Sequence, residues 1–324
     1  MSIPFKGPDY RPFGGKVVLL GGDFRQTLPV IPDAGREDSV DSSLTRSYLW
    51  NFCMVLHLSQ NMRLLPNSIN EEPFFDGMSF AEWTLNVGND DCLSTIAAVV
   101  YDAFAENYYS ISYLAERSIV TPTNQNVLEL NDHMLAMVPG SVRSYFSCDT
   151  VHSDSNDAAA ISSEYPTEFL NSLSFNGYPD HQIDLKVFTP IILLRNLNPS
   201  IGLCNGTRMM VVYLGHYVIR AIIMGGTFDG KTVAIPRIQF PVRLCYAMAI
   251  NKSQRQTLQH VGVYLLKPVF SHGQLYVAIS RVKSPAGLHF LILNEAGIPS
   301  NYTRSIVYPE TFSELEESAT TALG

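Results

Sequence analysis

The sequence predicts an α/β protein, with helices on a parallel sheet and a module of β-strands inserted into the same domain. Residues 16–20 (KVVLL) and 118–120 (SIV) are short apolar runs that end in polar or glycine-rich loops, as buried parallel strands do beside ligands. Residues 183–240 instead contain several β-rich runs separated by Gly, Asn and Asp turns. Because helix–strand alternation resumes at residue 244, this β-rich segment is predicted to be an insertion.

The composition permits about two domains and excludes several classes of protein. Of the 324 residues, 46% are hydrophobic, which is enough for a large core. The net charge of -8 gives no general attraction to phosphate, so binding of nucleic acid needs a local groove. The five cysteines form no C-x-x-C pair, which argues against a zinc framework and a disulfide scaffold. No metal-ligating residues are predicted.

The chain also lacks the sequence features of a membrane protein or a secreted protein. No apolar run approaches the ~20 residues that span a bilayer. Residues 1–15 lack the apolar core of a signal peptide. We therefore expect a soluble, intracellular protein without a membrane partner. The nucleus is favoured because no arginine-rich transit sequence is evident, with the mitochondrion as the alternative.

The individual elements are predicted from hydrophobic periodicity and from breaker residues. Val127, Leu130, Met134 and Leu135 repeat at helical spacing and predict one helix. The other elements before the β-rich segment are strands at 16–20, 54–58 and 118–120, helices at 43–50, 80–87 and 92–105, a loop at 67–77, a turn at 121–124 and a variable surface segment at 148–177.

Two patterns resemble nucleotide-binding motifs but are interpreted otherwise. Residues 225–232 fit G-x-x-x-x-G-K-T, yet a phosphate loop must open a helix, and the following TVAIPRIQF is β-branched and contains Pro236. We interpret this segment as a hairpin turn in which Gly230 adopts a positive φ. Asp23 ends an apolar run like a magnesium-holding carboxylate, but Phe24 stands where a water-activating glutamate is usual, so that role is discounted.

Four polar segments are difficult to explain by packing alone. They are residues 22–29 (GDFRQTLP), 59–63 (SQNMR), 249–258 (AINKSQRQTL) and 272–281 (HGQLYVAISR). Arg63 and Arg281 would present planar donor forks to a phosphate, and short polar residues suit phosphate and sugar contacts. Each segment also has a structural alternative. In the same order, these are a capped turn, a surface salt bridge, the polar start of a helix, and an arginine that interacts with a helix dipole.

In order and spacing, these segments resemble the motifs of superfamily one 5′-to-3′ DNA helicases. GGDFRQTLPV resembles motif III, SQNMR motif IV, AMAINKSQRQTL motif V and HGQLYVAISR motif VI. VTPTNQNVLELN, LLRNLNPSIGLCNGTRMMVV and FPVRLCYAMAINKSQ resemble the Helitron-like branch of the petite-integration-frequency helicases. The resemblance extends from about residue 14 to about residue 293 and implies an ATP-dependent DNA helicase.

The resemblance also implies the domain organisation. The expected fold class is α/β, with a partial first and a complete second RecA-like parallel-sheet domain that hold ATP and Mg²⁺ between them, and an inserted SH3-like β module. The implied boundaries are 1–88 for the first domain, 89–189 and 244–300 for the second, 190–243 for the SH3-like module and 301–324 for a C-terminal tail.

Residue roles follow from position within the motifs. The resemblance implies that Gln26 couples the γ-phosphate to DNA and that Arg63 and Arg281 reach the γ-phosphate. Nucleotide binding is implied for these three residues and for Gly22, Asp23 and Gln254. Binding of single-stranded DNA is implied for Thr121, Pro122, Thr123, Asn124, Asn251, Lys252, Ser253 and Gln254. Because the contacts go mainly to the backbone, little base preference is expected.

Two features depart from the family pattern. In the family, the Walker A and Walker B motifs lie before the position of Gly21, and only twenty residues precede it here. We therefore expect that this chain alone does not hydrolyse ATP. We also expect that a missing N-terminal segment is its partner. Arg255 stands where the family has glycine, at a cost of ~1–2 kcal/mol if the site is left-handed. Three hypotheses remain: a helicase motor in recombination, repair or telomere and transposon maintenance; an inactive half-motor that binds single-stranded DNA or a partner; and a non-functional mobile-element remnant.

Overall fold

The chain divides into two compact units. The computed structural model describes residues 12–29, 31, 35–56, 92–147, 169, 171, 173, 178–237, 240–294 and 297–312. Within these ranges, the first unit contains residues 12–56, 268–277 and 304–312, and the second contains residues 92–267 and 278–303. The domain boundaries expected from the sequence stay a prediction.

The described part of the first unit is built from short helices. It contains the α-helix α1 (Arg36–Asp41) and the 3₁₀ helices Pro12–Gly15, Leu44–Arg46 and Tyr48–Phe52. The backbone N–H that precedes α1 donates to the carboxylate of Asp38 at 3.0 Å, and negative charge in a first turn stabilises a helix. The helix predicted at 43–50 is therefore wrong: two 3₁₀ helices replace it, because Ser47 ends one and caps the next.

The apolar run at residues 16–20 is not the buried strand that the sequence predicts. All five residues are exposed, and Val17 and Leu19 almost completely so. A parallel strand needs neighbouring strands that pair with its N–H and C=O groups and cover its side chains. The described residues of the first unit supply no such strand. Apolar composition alone therefore does not determine a strand.

Several other predicted elements are either contradicted or lie outside the described residues. Residues 54–56 belong to no strand, which contradicts the strand predicted at 54–58, and residues 57–58 lie outside the described residues. A strand exists only where a partner strand supplies the ladder hydrogen bonds. The segments predicted at 59–63, 67–77 and 80–87, and nearly all of 148–177, also lie outside the described residues.

A four-stranded parallel sheet forms the centre of the second unit and confirms the predicted α/β fold. Its order is β11–β10–β1–β9, comprising β1 (Arg117–Thr121), β9 (Ala247–Ala249), β10 (His260–Leu265) and β11 (Leu288–Ile292). The strand predicted at 118–120 lies within β1. Because parallel strands end at one edge of a sheet, Thr121 and Ala249 lie side by side there.

Helices pack closely on this sheet. They are α2 (Cys92–Val100), α3 (Phe104–Asn107), α4 (Ile111–Ala115) and α5 (Asn124–Met137); α6 (Gln274–Ile279) follows β10 in the chain. A Cβ at Gly262 of β10 would lie 2.5 Å from Val100, so α2 approaches the strand closely. The helix predicted at 92–105 is confirmed for residues 92–100, but residues 101–103 form a turn before the next helix, and Ala103 has a φ of 51°. None of the described helices is long and apolar enough to cross a bilayer.

An antiparallel sheet of five strands confirms the predicted β module. Its order is β7–β6–β5–β4–β8, comprising β4 (Pro190–Leu193), β5 (Arg208–Leu214), β6 (Val218–Ile223), β7 (Thr232–Pro236) and β8 (Val242–Leu244). A separate two-stranded antiparallel sheet pairs β2 (Arg143–Phe146) with β3 (Gln182–Leu185). Val233 and Ile235 alternate with exposed residues along β7, as expected for a sheet with one buried face. The SH3-like assignment stays a prediction.

Residues 225–232 form the turn between β6 and β7, which confirms the predicted hairpin. Gly230 donates its N–H to the carbonyl oxygen of Ile223 at 2.9 Å, and Gly225 donates to the carboxylate of Asp229 at 2.6 Å. Gly230 has a φ of 76°. Because a strand follows the turn, no helix N-terminus is available to hold phosphate.

Candidate functional site

In the first unit, the loop after residue 20 folds around the carboxylate of Asp23. Its Oδ1 accepts the backbone N–H of Arg25 at 3.0 Å, and its Oδ2 accepts the side-chain amide of Gln26 at 3.3 Å. The hydroxyl of Tyr276 donates to the same Oδ2 at 3.3 Å. The structure thus brings together two predicted nucleotide-binding residues, with exposed Gly22 just before them. It adds Tyr276, for which the sequence analysis predicted no role although motif VI contains it.

A buried histidine fixes the backbone of this loop. The Nδ1 of His272 accepts the backbone N–H of Tyr308 at 2.8 Å, which assigns the proton to Nε2. Nε2 then donates to the carbonyl oxygen of Phe24 at 3.0 Å. Gly273 has a φ of 70°, and a Cβ there would overlap the carbonyl oxygen of Arg25. Only glycine fits at this contact, which holds the backbone that carries Gln26.

In the second unit, the residues of motif V form a 3₁₀ helix, Ile250–Ser253, directly after β9. The hydroxyl of buried Ser253 donates to the carbonyl oxygen of Ile250 at 2.7 Å, so it stabilises the turn. Lys252 is exposed. The side-chain oxygen of Asn251 is buried, without a hydrogen-bond partner in the described part of the chain. Lys252 and Asn251 therefore offer polar atoms to a ligand.

Arg255 lies in the left-handed region of the backbone, with a φ of 69°. This is the conformation in which the sequence analysis expected a cost of ~1–2 kcal/mol for a residue with a Cβ. The preceding residue, Gln254, is the C-cap of the 3₁₀ helix. The backbone thus reverses direction immediately after the stretch that is predicted to touch DNA.

Arg281 lies beneath motif V and is 2% exposed. Its Nη1 is 3.5 Å from the carbonyl oxygen of Ser253 and 3.4 Å from that of Gln256, and its Nη2 donates to Ser280 Oγ at 2.6 Å. The guanidinium therefore holds the backbone of motif V. Its predicted contact with a γ-phosphate stays a prediction, as does that of Arg63, which lies outside the described residues.

A groove of about 250 Å³ lies in the second unit between α5, β9 and the β module. Asn124 and Lys252, both predicted to bind DNA from separate segments of the sequence, line this groove. Residues 247–249 of β9 and residues 192–194 of the module line it as well. The structure therefore brings two of the predicted DNA contacts to one concave surface.

Two of the predicted residues, Thr121 and Thr123, hold the start of α5 in place beside the groove. Thr123 caps the helix, because its Oγ1 accepts the backbone N–H of Asn126 at 3.5 Å. Thr121 Oγ1 accepts the side-chain amide of the same asparagine at 3.3 Å. Thr121 and Pro122 are buried, whereas Asn124 is exposed. The first turn of a helix attracts negative charge, so this wall of the groove suits phosphate.

The sequence analysis missed three other residues that line the groove. Arg243 forms an ion pair with Asp180 at 3.0 Å, and Tyr178 lies beside them. The guanidinium of Arg195 lies 5.7 Å from the centroid of the Tyr178 ring. Arg243 falls within FPVRL, a segment used only for its family resemblance. No His, Cys, Asp and Glu residues of the described ranges cluster in a way that could hold a metal ion.

Comparison with known families agrees with these motifs. Residues 5–97 match the family model described as PIF1-like helicase, and residues 168–214 match that of the DNA helicase Pif1 2B domain. The chain is related to the PIF1-like helicases. The 2B match covers β3, β4 and β5, and so includes the start of the antiparallel module.

Individual PIF1-like relatives match most of the chain. The ATP-dependent DNA helicase PIF1 of Homo sapiens is 32% identical over 298 residues, covering 87% of this chain and 41% of the relative. That of Danio rerio is 28% identical over 316 residues, covering 92% and 44%. The solved structure of Bacteroides Pif1 bound to single-stranded DNA shares 21% identity and a TM-score of 0.53, covering 96% of this chain and 68% of that one. The chain therefore spans less than half the length of these curated relatives and shares the RecA-like fold.

Proposed function

We propose that the chain is the part of an ATP-dependent DNA helicase that binds single-stranded DNA. The DNA lies in the groove between α5, β9 and the β module. The observation that carries the proposal is the convergence of Asn124 and Lys252 on that groove. The ammonium of Lys252 and the amino end of α5 attract phosphate, while the apolar floor accepts the sugar or a base edge. The Bacteroides relative binds single-stranded DNA.

Nucleotide chemistry forms the second part of the proposal. The described residues near Asp23 provide hydrogen-bonding groups but no phosphate loop, since the only described G-x-x-x-x-G-K-T sequence is a hairpin. By their places in motifs III, IV and VI, Gln26, Arg63 and Arg281 would face ATP and its Mg²⁺. ATP would supply the energy for movement in the 5′-to-3′ direction. The nucleus is the proposed compartment, where recombination and repair use such a motor.

Equilibrium binding of a fluorescent single-stranded oligonucleotide to the purified chain tests the groove. We expect Lys252→Gln to weaken binding and to reduce the slope of log K against log salt by about 0.7, the value for one phosphate contact on a single strand. The matched control is Lys283→Gln, which removes one exposed charge near the amino end of β11. Equal affinity and equal slopes for both variants would show that DNA does not use this groove.

ATP hydrolysis, measured with and without single-stranded DNA, separates a motor from a binding module. A chain that binds DNA but shows no stimulated hydrolysis acts as an inactive half-motor. Stimulated hydrolysis by the chain alone would contradict the expectation that its nucleotide site requires another segment.

A further inference from the structure

The hairpin between β5 and β6 carries a surface rich in arginine and tyrosine. This arginine–tyrosine surface consists of Arg143, Tyr213, His216, Tyr217, Arg220 and Arg237. Tyr213 and Tyr217 are 51% and 73% exposed, so a large part of each ring is open to solvent. In a chain with a net charge of -8, a cluster of three arginines is a local reversal of sign.

The members of this surface are held in place by the β ladder. Tyr213 and Arg220 are register partners on β5 and β6, and the guanidinium carbon lies 5.6 Å from the ring centroid. Arg143 donates to the carbonyl oxygen of Leu214 at 2.8 Å. The backbone N–H of Arg237 donates to the carbonyl oxygen of Tyr217 at 2.9 Å. The surface is therefore pre-organised, which lowers the entropy cost of binding a ligand.

Among the described residues, no ion pair neutralises the positive charge of this surface. Within the described ranges, none of Arg143, Arg220 and Arg237 forms an ion pair. The guanidinium carbon of Arg143 lies 5.7 Å from the centroid of the Tyr145 ring. Burial raises the pKa of Tyr145, and the positive charges of Arg143 and Arg237 act in the opposite direction.

Three described carboxylates of the same unit, those of Asp132, Asp180 and Asp184, interact with one another beside α5. Burial, and then the negative charges of Asp184 and Asp180, raise the pKa of Asp132 on α5. Asp180 also pairs with Arg243 beside the groove. These acids therefore face α5 and the groove, and the surface at the β5–β6 turn keeps a positive potential that attracts an anion.

The arginine–tyrosine surface is separate from the groove. Ile192 of β4, which lines the groove, pairs with Arg208 at the start of β5, whereas the surface lies at the far end of that seven-residue strand. At about 3.4 Å per residue, the two sites are roughly 20 Å apart along the strand. A stacked nucleic-acid strand with a rise of about 3.4 Å per nucleotide needs about six nucleotides to cover this distance.

We propose that the arginine–tyrosine surface is a second contact for single-stranded DNA, which the strand reaches after it leaves the groove. Exposed tyrosine rings stack on bases of any sequence, and arginines beside them bind the phosphates between those bases. The proposal rests on the groove being the first contact. It predicts that the surface matters only for strands long enough to reach both sites.

The test compares binding of the chain to two oligothymidylates, one of about 4 and one of about 24 nucleotides, because site sizes in such grooves run from about 4 to 16 nucleotides. The shorter strand can fill the groove but cannot also reach the arginine–tyrosine surface. The variant is Tyr217→Ala combined with Arg220→Gln, and both side chains are exposed. We expect this variant to bind the long strand about tenfold more weakly than wild type does, as loss of one stacked base predicts. It should bind the short strand as wild type does, and Lys283→Gln should leave binding of both strands unchanged.

The other outcomes overturn the second contact, the groove or both. Unchanged affinity of the variant for the long strand overturns the second contact and leaves the groove intact. An equal loss on both strands also overturns it, because the surface would then act without regard to strand length. If Lys252→Gln leaves both affinities unchanged while the surface variant loses the long strand, the groove is wrong and the surface is itself the DNA site. No binding of either strand by wild type overturns both. Thermal unfolding of each variant verifies that the fold is retained.

Discussion

At the scale of single residues, the left-handed conformation of Arg255 makes a prediction about stability. Its φ of 69° crowds the Cβ against the neighbouring carbonyl group, and glycine removes that contact. We expect Arg255→Gly to raise the free energy of unfolding by about 1 kcal/mol, since the relief exceeds the entropy that glycine adds to the unfolded chain. Urea denaturation measures the change. Arg255→Ala retains the Cβ and should give no gain, and an equal gain from alanine would show that the strain is absent.

Arg255 also shows what a motif can and cannot predict about a residue. The glycine expected by resemblance was compatible with either a left-handed backbone or a close approach to a ligand, and the structure shows the left-handed backbone. The same motif did not indicate that the Ser253 hydroxyl is used inside the turn, or that Arg281 bonds to the backbone of motif V. The contact of Arg281 depends on how segments distant in the chain pack together, which local spacing does not contain.

At the scale of elements, Arg208 joins the β module to the parallel sheet. This β5 residue is 3% exposed, and its guanidinium donates to the carbonyl oxygens of Leu114, Ala115 and Arg117 at 2.9–3.1 Å. Two of these carbonyls end α4, where a positive charge is favourable. We expect Arg208→Met to lower the free energy of unfolding by about 3 kcal/mol or more, because three buried or part-buried carbonyls lose a charged donor. Arg220→Met, on the exposed face of β6, should change it by less than about 0.5 kcal/mol. Similar losses from both variants, measured by urea denaturation, would contradict this role.

The elements also show which parts of the fold the sequence predicts. Strand β1 and the β6–β7 hairpin were predicted because apolar residues and turn glycines mark them locally. Residues 16–20 have the same apolar character, yet they are exposed, because a strand also needs partners from elsewhere in the chain. Likewise, Asn124 and Lys252 were predicted one by one, but their shared groove depends on the parallel pairing of β1 with β9.

At the scale of the whole molecule, two stacked histidines predict how stability depends on pH. The rings of His260 on β10 and His289 on β11 lie 6.5 Å apart. Burial lowers the pKa of both histidines. The positive charge of Arg117 lowers the pKa of His260 further, and His260 lowers that of His289. Asp102 opposes both shifts, and Glu116 also opposes that of His260. The unfolded chain therefore takes up protons first as the pH falls below about 6.5, and the free energy of unfolding should decrease from there until the folded pKa values are passed.

Urea denaturation at pH 7.5 and at pH 5.5 measures this decrease. The variant His260→Gln combined with His289→Gln cannot take up these two protons, so its stability should fall less between the two pH values. Stability should not change through these groups above about pH 7, where both histidines are neutral in the folded and the unfolded chain. An identical pH dependence in wild type and variant would assign the decrease to other groups.

The strand order of the β module has one further consequence. Its entry strand β4 and its exit strand β8 are antiparallel neighbours, with Ile191 opposite Leu244 and Leu193 opposite Val242. The chain therefore leaves the α/β domain and returns to it at almost the same point. Because the two ends of the module adjoin, changes within it need not disturb the domain into which it is inserted. The β5–β6 and β6–β7 turns can therefore change in length and chemistry while the register of the parallel sheet stays the same. Variation among related chains should therefore concentrate at these hairpin tips.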